Sequence, residues 1–168
     1  MDFQKELIAE YDREIARTRK MLEAIPAAVD FTFKPHPKSM ALGRLAGHVV
    51  ETAGEWASST LNKVKLEFSP EHKFEAYIPA SKEALIERFD KDVAKVKADL
   101  ASFDPAKWSD NWKFVAGGKA WIDESKYEVW RSWVMNHLIH HRAQLGSSLR
   151  QLDKPIPGMY GPSADEGM

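Results

Sequence analysis

The sequence predicts an all-α fold: an up-down-down-up four-helix bundle with a long crossing and a small irregular or hairpin insertion before the last helix. Two observations support this prediction. Four segments carry apolar residues at the spacing of three or four that packed helices need, and prolines, glycines and capping residues separate these segments. The 168 residues contain no internal repeat and no linker, so we expect one domain over residues 1–168.

The first helix is predicted over residues 3–25. Its apolar residues recur at steps of three, four or seven: Phe3, Leu7, Tyr11, Ile15, Leu22 and Ile25. Pro26 ends this helix. Pro35 and Pro37 then predict an extended loop, because proline disfavours the helical conformation at the residue before it.

Serine residues are the expected N-caps of the next two helices. Ser39 precedes a helix to about Asn62, and Ser81 precedes one to about Phe103. The second helix has an apolar inner face formed by Leu42, Leu45, Val49, Ala53 and Trp56. The third carries the stripe Leu85, Phe89, Val93, Val96, Leu100 and Phe103, whose steps of three and four are typical of a bundle.

The segment before the fourth helix breaks the helical pattern. Gly117–Gly118 lies between two short aromatic-rich runs, which is compatible with a small hairpin or with an irregular loop. The fourth helix opens with the capping box Ser125–Glu128 and extends to about Asp153, where Pro155 stops it.

Composition excludes several classes of function. With 24 basic and 25 acidic residues the net charge is -1, so we expect no nucleic-acid partner. No apolar run approaches the ~20 residues of a membrane span, and the N-terminal residues lack the features of a signal peptide, so the expected location is cytoplasmic. The chain has no cysteine, so any metal must be bound by histidine, carboxylate or water.

Two histidines lie within the apolar stripe of the fourth helix, which consists of Trp130, Val134, His137, His141, Leu145, Leu149 and Leu152. At about 100° per residue, His141 lies about 40° around the helix axis from His137 and one turn further along. Two imidazoles so placed can bind one ion. His140 lies about 60° away on the other side, so we assign it to the rim.

Such a pair has an alternative interpretation as core histidines that are hydrogen-bonded to protein groups. The surrounding Leu, Ile and Val residues offer no partners, and burial makes protonation of both rings costly, which favours a metal. The third ligand should come from another helix, and His48 lies at the edge of the second helix's apolar face, near Glu51 and Glu55. A di-iron carboxylate site would need Glu-x-x-His pairs, which the fourth helix lacks. His36 and His72 are expected to be solvated.

Four stretches together resemble the DinB (YfiT-like) family of metal-dependent proteins: "KPHPKSMALGRLAGH", "RLAGHVVE", "NHLIHHRAQL" and "PIPGMYGPSADE". The likeness extends from about residue 30 to the end. It implies a four-helix bundle, usually a homodimer, that holds one divalent ion, with nickel and zinc as the leading candidates. Carried over to this sequence, the ligands are His48, His137 and His141, and His140 matches a histidine that is not normally a ligand.

The resemblance also suggests chemistry, because some relatives are similar to thiol S-transferases. We therefore expect a metal-dependent transferase or hydrolase that acts on an unidentified small molecule, with a low-molecular-weight thiol as one candidate. Candidates for hydrogen bonding to the ligands are Glu51, Glu55, Asn136, His140 and Gln144. Arg142 is predicted to point outward, away from the ligands, where an ion pair or a dimer contact suits it better than catalysis. The alternatives are a non-enzymatic metal-binding or structural stress-response bundle, and a site that has lost its activity.

Overall fold

The computed structural model of the chain describes residues 2–70 and 73–167. Helix α1 is Phe3–Glu23. Helix α2 covers residues 42–62: Leu42–Glu51, a π-helical turn Thr52–Trp56, and Ala57–Asn62. Helix α3 is Lys82–Ser102, followed by the 3₁₀ turn Pro105–Ser109. Helix α4 covers residues 126–151: Lys126–Val129, a π-helical turn Trp130–Asn136, and His137–Gln151.

The prediction of an all-α fold is wrong, because the structure also contains a three-stranded mixed sheet. Strands β2 (Asn111–Ala116) and β3 (Lys119–Ser125) form an antiparallel hairpin, and β1 (Lys65–Phe68) pairs parallel with β2. The hairpin turn has Gly117 and Gly118 at φ of 60° and 76°, a conformation that glycine adopts without strain. β1 is too short to show an alternating pattern, and its partner lies far away in the sequence.

The helices α1 and α4 run parallel to each other and antiparallel to α2 and α3. Contacts of α1 establish two of these directions: Gln4–Leu100 and Arg19–Asp90 join it to α3, and Phe3–Tyr127 and Glu14–Arg142 join it to α4. Contacts of α2 establish the other two: Trp56–Trp133 and His48–His141 join it to α4, and Ser58–Asp99 and Glu55–Arg88 join it to α3. Because α2 and α3 are parallel, the connection over residues 63–81 must return along the bundle, and β1 forms at its start.

Side-chain caps begin three of the four helices. Asp2, Ser81 and Ser125 each accept a hydrogen bond from a backbone N–H in the first turn. The predicted cap Ser39 is wrong, since α2 begins at Leu42 after Ala41 and has no side-chain cap. Its start is fixed instead by backbone hydrogen bonds, because Leu42 and Gly43 donate to carbonyls in the preceding loop.

The buried apolar residues form two clusters. The larger one fills the space between the four helices and includes most of the predicted apolar stripes. The smaller one joins the sheet to α2 and α4 and consists of Trp56, Leu66, Trp112, Ile122 and Val129. Trp121, in contrast, is 62% exposed on β3. Within residues 2–70 and 73–167, no helix combines the length and the apolar character that a membrane span needs.

Candidate metal centre

The three predicted histidines come from two antiparallel helices. His48 lies on α2, four residues before its π turn, and His137 and His141 lie on α4 directly after the second π turn. The two π turns contact each other. π turns widen a helix locally and are frequent at functional sites. Here they lie beside the histidine pair and bring the α2 and α4 backbones together next to it.

The three imidazoles form a compact cluster. Each offers one nitrogen, and these nitrogens all lie within 4.8 Å of one another. The Nε2 atoms of His137 and His141 are 2.8 Å apart. The ring of His48 is centred 5.0 Å from that of His137 and 4.5 Å from that of His141, with edge-on orientations. The structure therefore brings together residues that the sequence separates by up to 93 positions.

Two of the rings have oxygen acceptors beside Nδ1, which favour the tautomer protonated on that atom. The Nδ1 atom of His141 lies 2.8 Å from Gln144 Oε1, and the Nδ1 atom of His48 lies 3.2 Å from Glu51 Oε2. The Nδ1 atom of His48 also lies 3.3 Å from Arg44 Nη2, so it has a donor as well as an acceptor within reach. A proton on Nδ1 of either ring satisfies the oxygen acceptor beside it. Each Nε2 then keeps its lone pair, as a metal-ligating histidine with an outer hydrogen bond requires.

Glu51 is itself held by three groups. Its Oε2 atom also accepts from Arg44 Nη1 at 2.8 Å, and its Oε1 atom accepts from the Tyr77 backbone N–H at 2.6 Å. Burial alone raises the pKa of Glu51, but the hydrogen bonds with His48 and Tyr77 and the charge of Arg44 outweigh it and hold the pKa below its usual value. Glu51 is therefore a buried carboxylate that stays ionised.

The returning connection between α2 and α3 reaches Glu51 because Gly47 has no side chain. A Cβ atom at position 47 would lie 2.0 Å from the Tyr77 carbonyl oxygen. This close approach places the Tyr77 N–H on the carboxylate one turn further along α2. Arg44 and Tyr77 are not among the residues predicted from the sequence. Arg44 was detectable, since it lies four residues before His48 on the same helix face.

Two histidines of α4, His137 and His141, are neutral at physiological pH. Burial, followed by the charge of His48, lowers the pKa of His137 to about 4, and the Trp133 backbone acts in the opposite direction. Burial lowers the pKa of His141 to about 4 as well, although its hydrogen bond with Gln144 opposes the shift. Neutral imidazoles with converging lone pairs are the form that binds divalent metals, so the donor set fits such an ion.

Aromatic side chains cover one side of the cluster. Trp56 and Trp133 stack with an interplanar angle of 9°, and the edges of both indoles meet the His137 ring. His137 Nδ1 is buried on this side. Trp108 and Trp112 do not take part in this cover, because they are buried in the two apolar clusters.

The other side of the cluster opens into a cavity of about 660 Å³. Its walls are the loop before α2 and the exposed face of α4, and the lining includes His140, His141 and Gln144. This volume suits a small-molecule ligand, because such sites usually enclose about 300–1,000 Å³. Of the three imidazoles, that of His141 lines this cavity, whereas those of His48 and His137 do not.

The remaining candidates lie in different environments. His140 is on the rim, with its ring edge-on to His141. Glu55 is exposed and lies 3.9 Å from Arg88, and Asn136 is exposed at the end of the π turn. Within the described parts of the chain, neither Glu55 nor Asn136 makes a hydrogen bond to the three imidazoles. His36 is exposed, and His72 lies outside the described residues.

Arg142 does not point outward, contrary to the expectation. It is 2% exposed and donates to Glu14 on α1 at 2.7 Å and to the Tyr160 hydroxyl at 2.7 Å. The reason is that α4 packs against both α1 and α2, so it has two buried faces. Burial raises the pKa of Glu14, but Tyr160 and Arg142 outweigh it and keep the pKa below its usual value. The ion pair that the sequence suggested for Arg142 is present.

Comparisons with known proteins agree with this architecture. The model of the DinB family matches residues 1–167. The crystal structure of a DinB-like protein from Bacillus cereus ATCC 10987 is similar, with a TM-score of 0.72 and 22% sequence identity. That match covers 93% of this chain and 97% of that chain, and at this identity it shows the fold alone. No curated protein matches the chain.

Proposed function

The chain belongs to the DinB family, and on that premise we propose that it is a metal-dependent enzyme whose single divalent ion is bound by His48, His137 and His141. The observation that supports this proposal is the convergence of three imidazole nitrogens within 4.8 Å beside an open cavity. Nickel and zinc both suit an all-imidazole donor set.

The number of ligands indicates the kind of chemistry. Three protein ligands leave open coordination positions, which distinguishes catalytic from structural zinc sites. A divalent ion in such a site lowers the pKa of a bound water or thiol towards about 7. The proposed reaction is therefore the transfer of a small thiol or a hydrolysis.

The protein groups around the site have separate tasks in this proposal. Glu51 and Gln144 hold His48 and His141 in the tautomers that present Nε2. Trp56 and Trp133 exclude water from the side of His137, where their indoles cover the ring. The substrate enters from the cavity, which His141 lines.

A non-enzymatic structural role is the second candidate, because the ligands come from both α2 and α4. An ion bound by His48 and by the α4 pair would join the two helices. The open cavity next to His141 favours the enzyme, since a structural site normally has four protein ligands and is closed.

Elemental analysis of the purified protein tests the site. We expect about one divalent ion per chain, and we expect His48→Ala or His137→Ala to abolish binding because each removes one of three ligands. His140→Ala is the matched control on the rim of the site and should keep the ion. If metal content survives both ligand substitutions, or is lost in His140→Ala, the assignment of the ligands is wrong.

A further inference from the structure

The cavity next to the histidine cluster has an unusual charge pattern. None of the described residues that line it is acidic, although the chain has 25 acidic residues. An adjoining cavity of about 570 Å³, which shares Ala143, Ser147 and Gln151, also lacks acidic lining residues in the described part of the chain. In contrast, three other surface cavities each contain at least two carboxylates.

Among the polar side chains that line the cavity, Lys38 is a donor only, and the serine, glutamine and histidine side chains can both donate and accept. Lys38 extends from the loop before α2, and His140 lies opposite it on α4. Neither side chain forms an ion pair among the described residues, unlike Arg150 in the adjoining cavity, which is paired with Asp165. Gln144 uses its oxygen to accept from His141, so its amide N–H groups remain available to the cavity.

The apolar part of the lining limits the size and polarity of the occupant. Met40 and Leu45 form one wall, and Ile139 and Ala143 contribute to the face of α4. A small molecule with an apolar segment and one negatively charged end fits this combination. Its other end would meet His141, the cluster member that faces the cavity.

We propose that this cavity selects small anionic substrates, with Lys38 and the donors of His140 and Gln144 binding a carboxylate or similar group while the reacting end lies at His141. This inference rests on the proposed function in one respect: the end of the substrate at His141 is taken to react at the proposed metal site. Lys38 supplies an unpaired positive charge, and an anion bound there gains an attraction that a neutral molecule of the same size does not.

Three thiols of equal length test this selectivity: 3-mercaptopropionate, 3-mercaptopropan-1-ol and 3-mercaptopropylamine. Affinity for the zinc-loaded protein is measured from backbone amide shifts, which also show whether Ser39, Gln144 and Ser147 respond. We expect the anion to bind about three- to fivefold more tightly than the alcohol, and the amine to bind most weakly. Equal affinities for all three overturn the inference.

A carboxylate could bind more tightly because of Lys38 or because it chelates the metal ion. A charge-reversal variant of Lys38 distinguishes these two effects. Lys38→Glu should remove the preference for the anion, whereas Lys34→Glu changes the net charge equally on the same loop but outside the cavity and should keep it. A preference that is unchanged in Lys38→Glu, or lost equally in Lys34→Glu, overturns the role of Lys38.

The outcomes for the two proposals are distinguishable. Wild-type protein that binds neither zinc nor nickel contradicts the proposed function, whatever the thiols do. Zinc binding together with equal affinities for the three thiols contradicts only the selectivity for anions. Amide shifts that map away from the cavity also contradict it, because the proposal places the charged end beside α4.

Discussion

Single residues around the histidine cluster determine which imidazole nitrogen can bind a metal. His48 and His141 have their Nδ1 atoms directed at oxygen acceptors, and the acceptor for His48 is the buried, ionised carboxylate of Glu51. Arg44 and the Tyr77 N–H hold this carboxylate in place. The orientation of His48 therefore depends on groups from α2 and from the connection that follows it.

Substitution of Glu51 should weaken metal binding without removing a ligand. Glu51→Gln keeps the size of the side chain but loses the charge that holds the proton on His48 Nδ1, and we expect zinc affinity to fall about 10- to 100-fold. Competition with a chromophoric chelator measures this affinity. Glu55→Gln, an identical change at an exposed position of the same helix, serves as the control. Wild-type affinity in a folded Glu51→Gln protein would contradict the positioning role.

At the scale of elements, the C-terminal end of α2 is joined to the start of α4 by one buried side chain. Lys126 is 4% exposed, and its Nζ donates to the carbonyls of Thr60, Leu61 and Lys63 at 2.8 Å each. These carbonyls belong to the end of a helix, where backbone acceptors have no partner within the helix. Burial lowers the pKa of Lys126, although Asp110 opposes the shift.

Loss of this amine should destabilise the protein. Lys126→Met keeps most of the apolar stem but leaves the three carbonyls without their donor, and we expect the free energy of unfolding to fall by about 2–3 kcal/mol. Urea denaturation followed by circular dichroism measures the change. Lys91→Met, at an exposed position of α3, should stay within about 0.5 kcal/mol of wild type. Equal stabilities of the two variants would show that the contacts of Lys126 are not stabilising.

On the scale of the whole molecule, two apolar clusters support the histidine site from both ends. The larger cluster involves all four helices, and the smaller one attaches the sheet beside Trp56. The three imidazoles are not members of either cluster, although the His137 ring lies against Trp56 of the smaller one. The C-terminal segment also packs on the bundle, where Tyr160 donates to Glu14 and the Met159 carbonyl accepts from Arg17.

Removal of the metal should therefore leave the fold intact. After chelation we expect the helical circular dichroism signal and a cooperative thermal transition to persist, because the apolar clusters do not depend on the ion. The midpoint temperature of unfolding should fall only by the amount expected when a protein loses a ligand that binds its folded state. Loss of helical structure on chelation would instead favour the structural role, and reloading with zinc controls for irreversible damage.

The sequence by itself determined the four helices, because helical periodicity and capping are local properties of the chain. The stripe of α4 also indicated that His137 and His141 share one face, and the edge of the apolar face of α2 offered His48 as the third ligand. The resemblance to the DinB family gave the same three residues. Gly117–Gly118 allowed the hairpin without requiring it. These predictions depend on neighbours within about one or two helical turns.

The tertiary structure decided what depends on distant residues. The parallel pairing of β1 with β2 joins segments almost 50 residues apart and made the all-α prediction wrong. The sequence showed one apolar stripe on α4, so the face that carries Arg142 was expected to be in solvent. Arg142 is buried because α1 packs on that second face. Tyr77 reaches Glu51 only because the long connection returns past Gly47. Helices can be predicted from the sequence because their patterns are local. The partners of buried charges and of strand edges cannot, because they depend on how distant parts of the chain pack together.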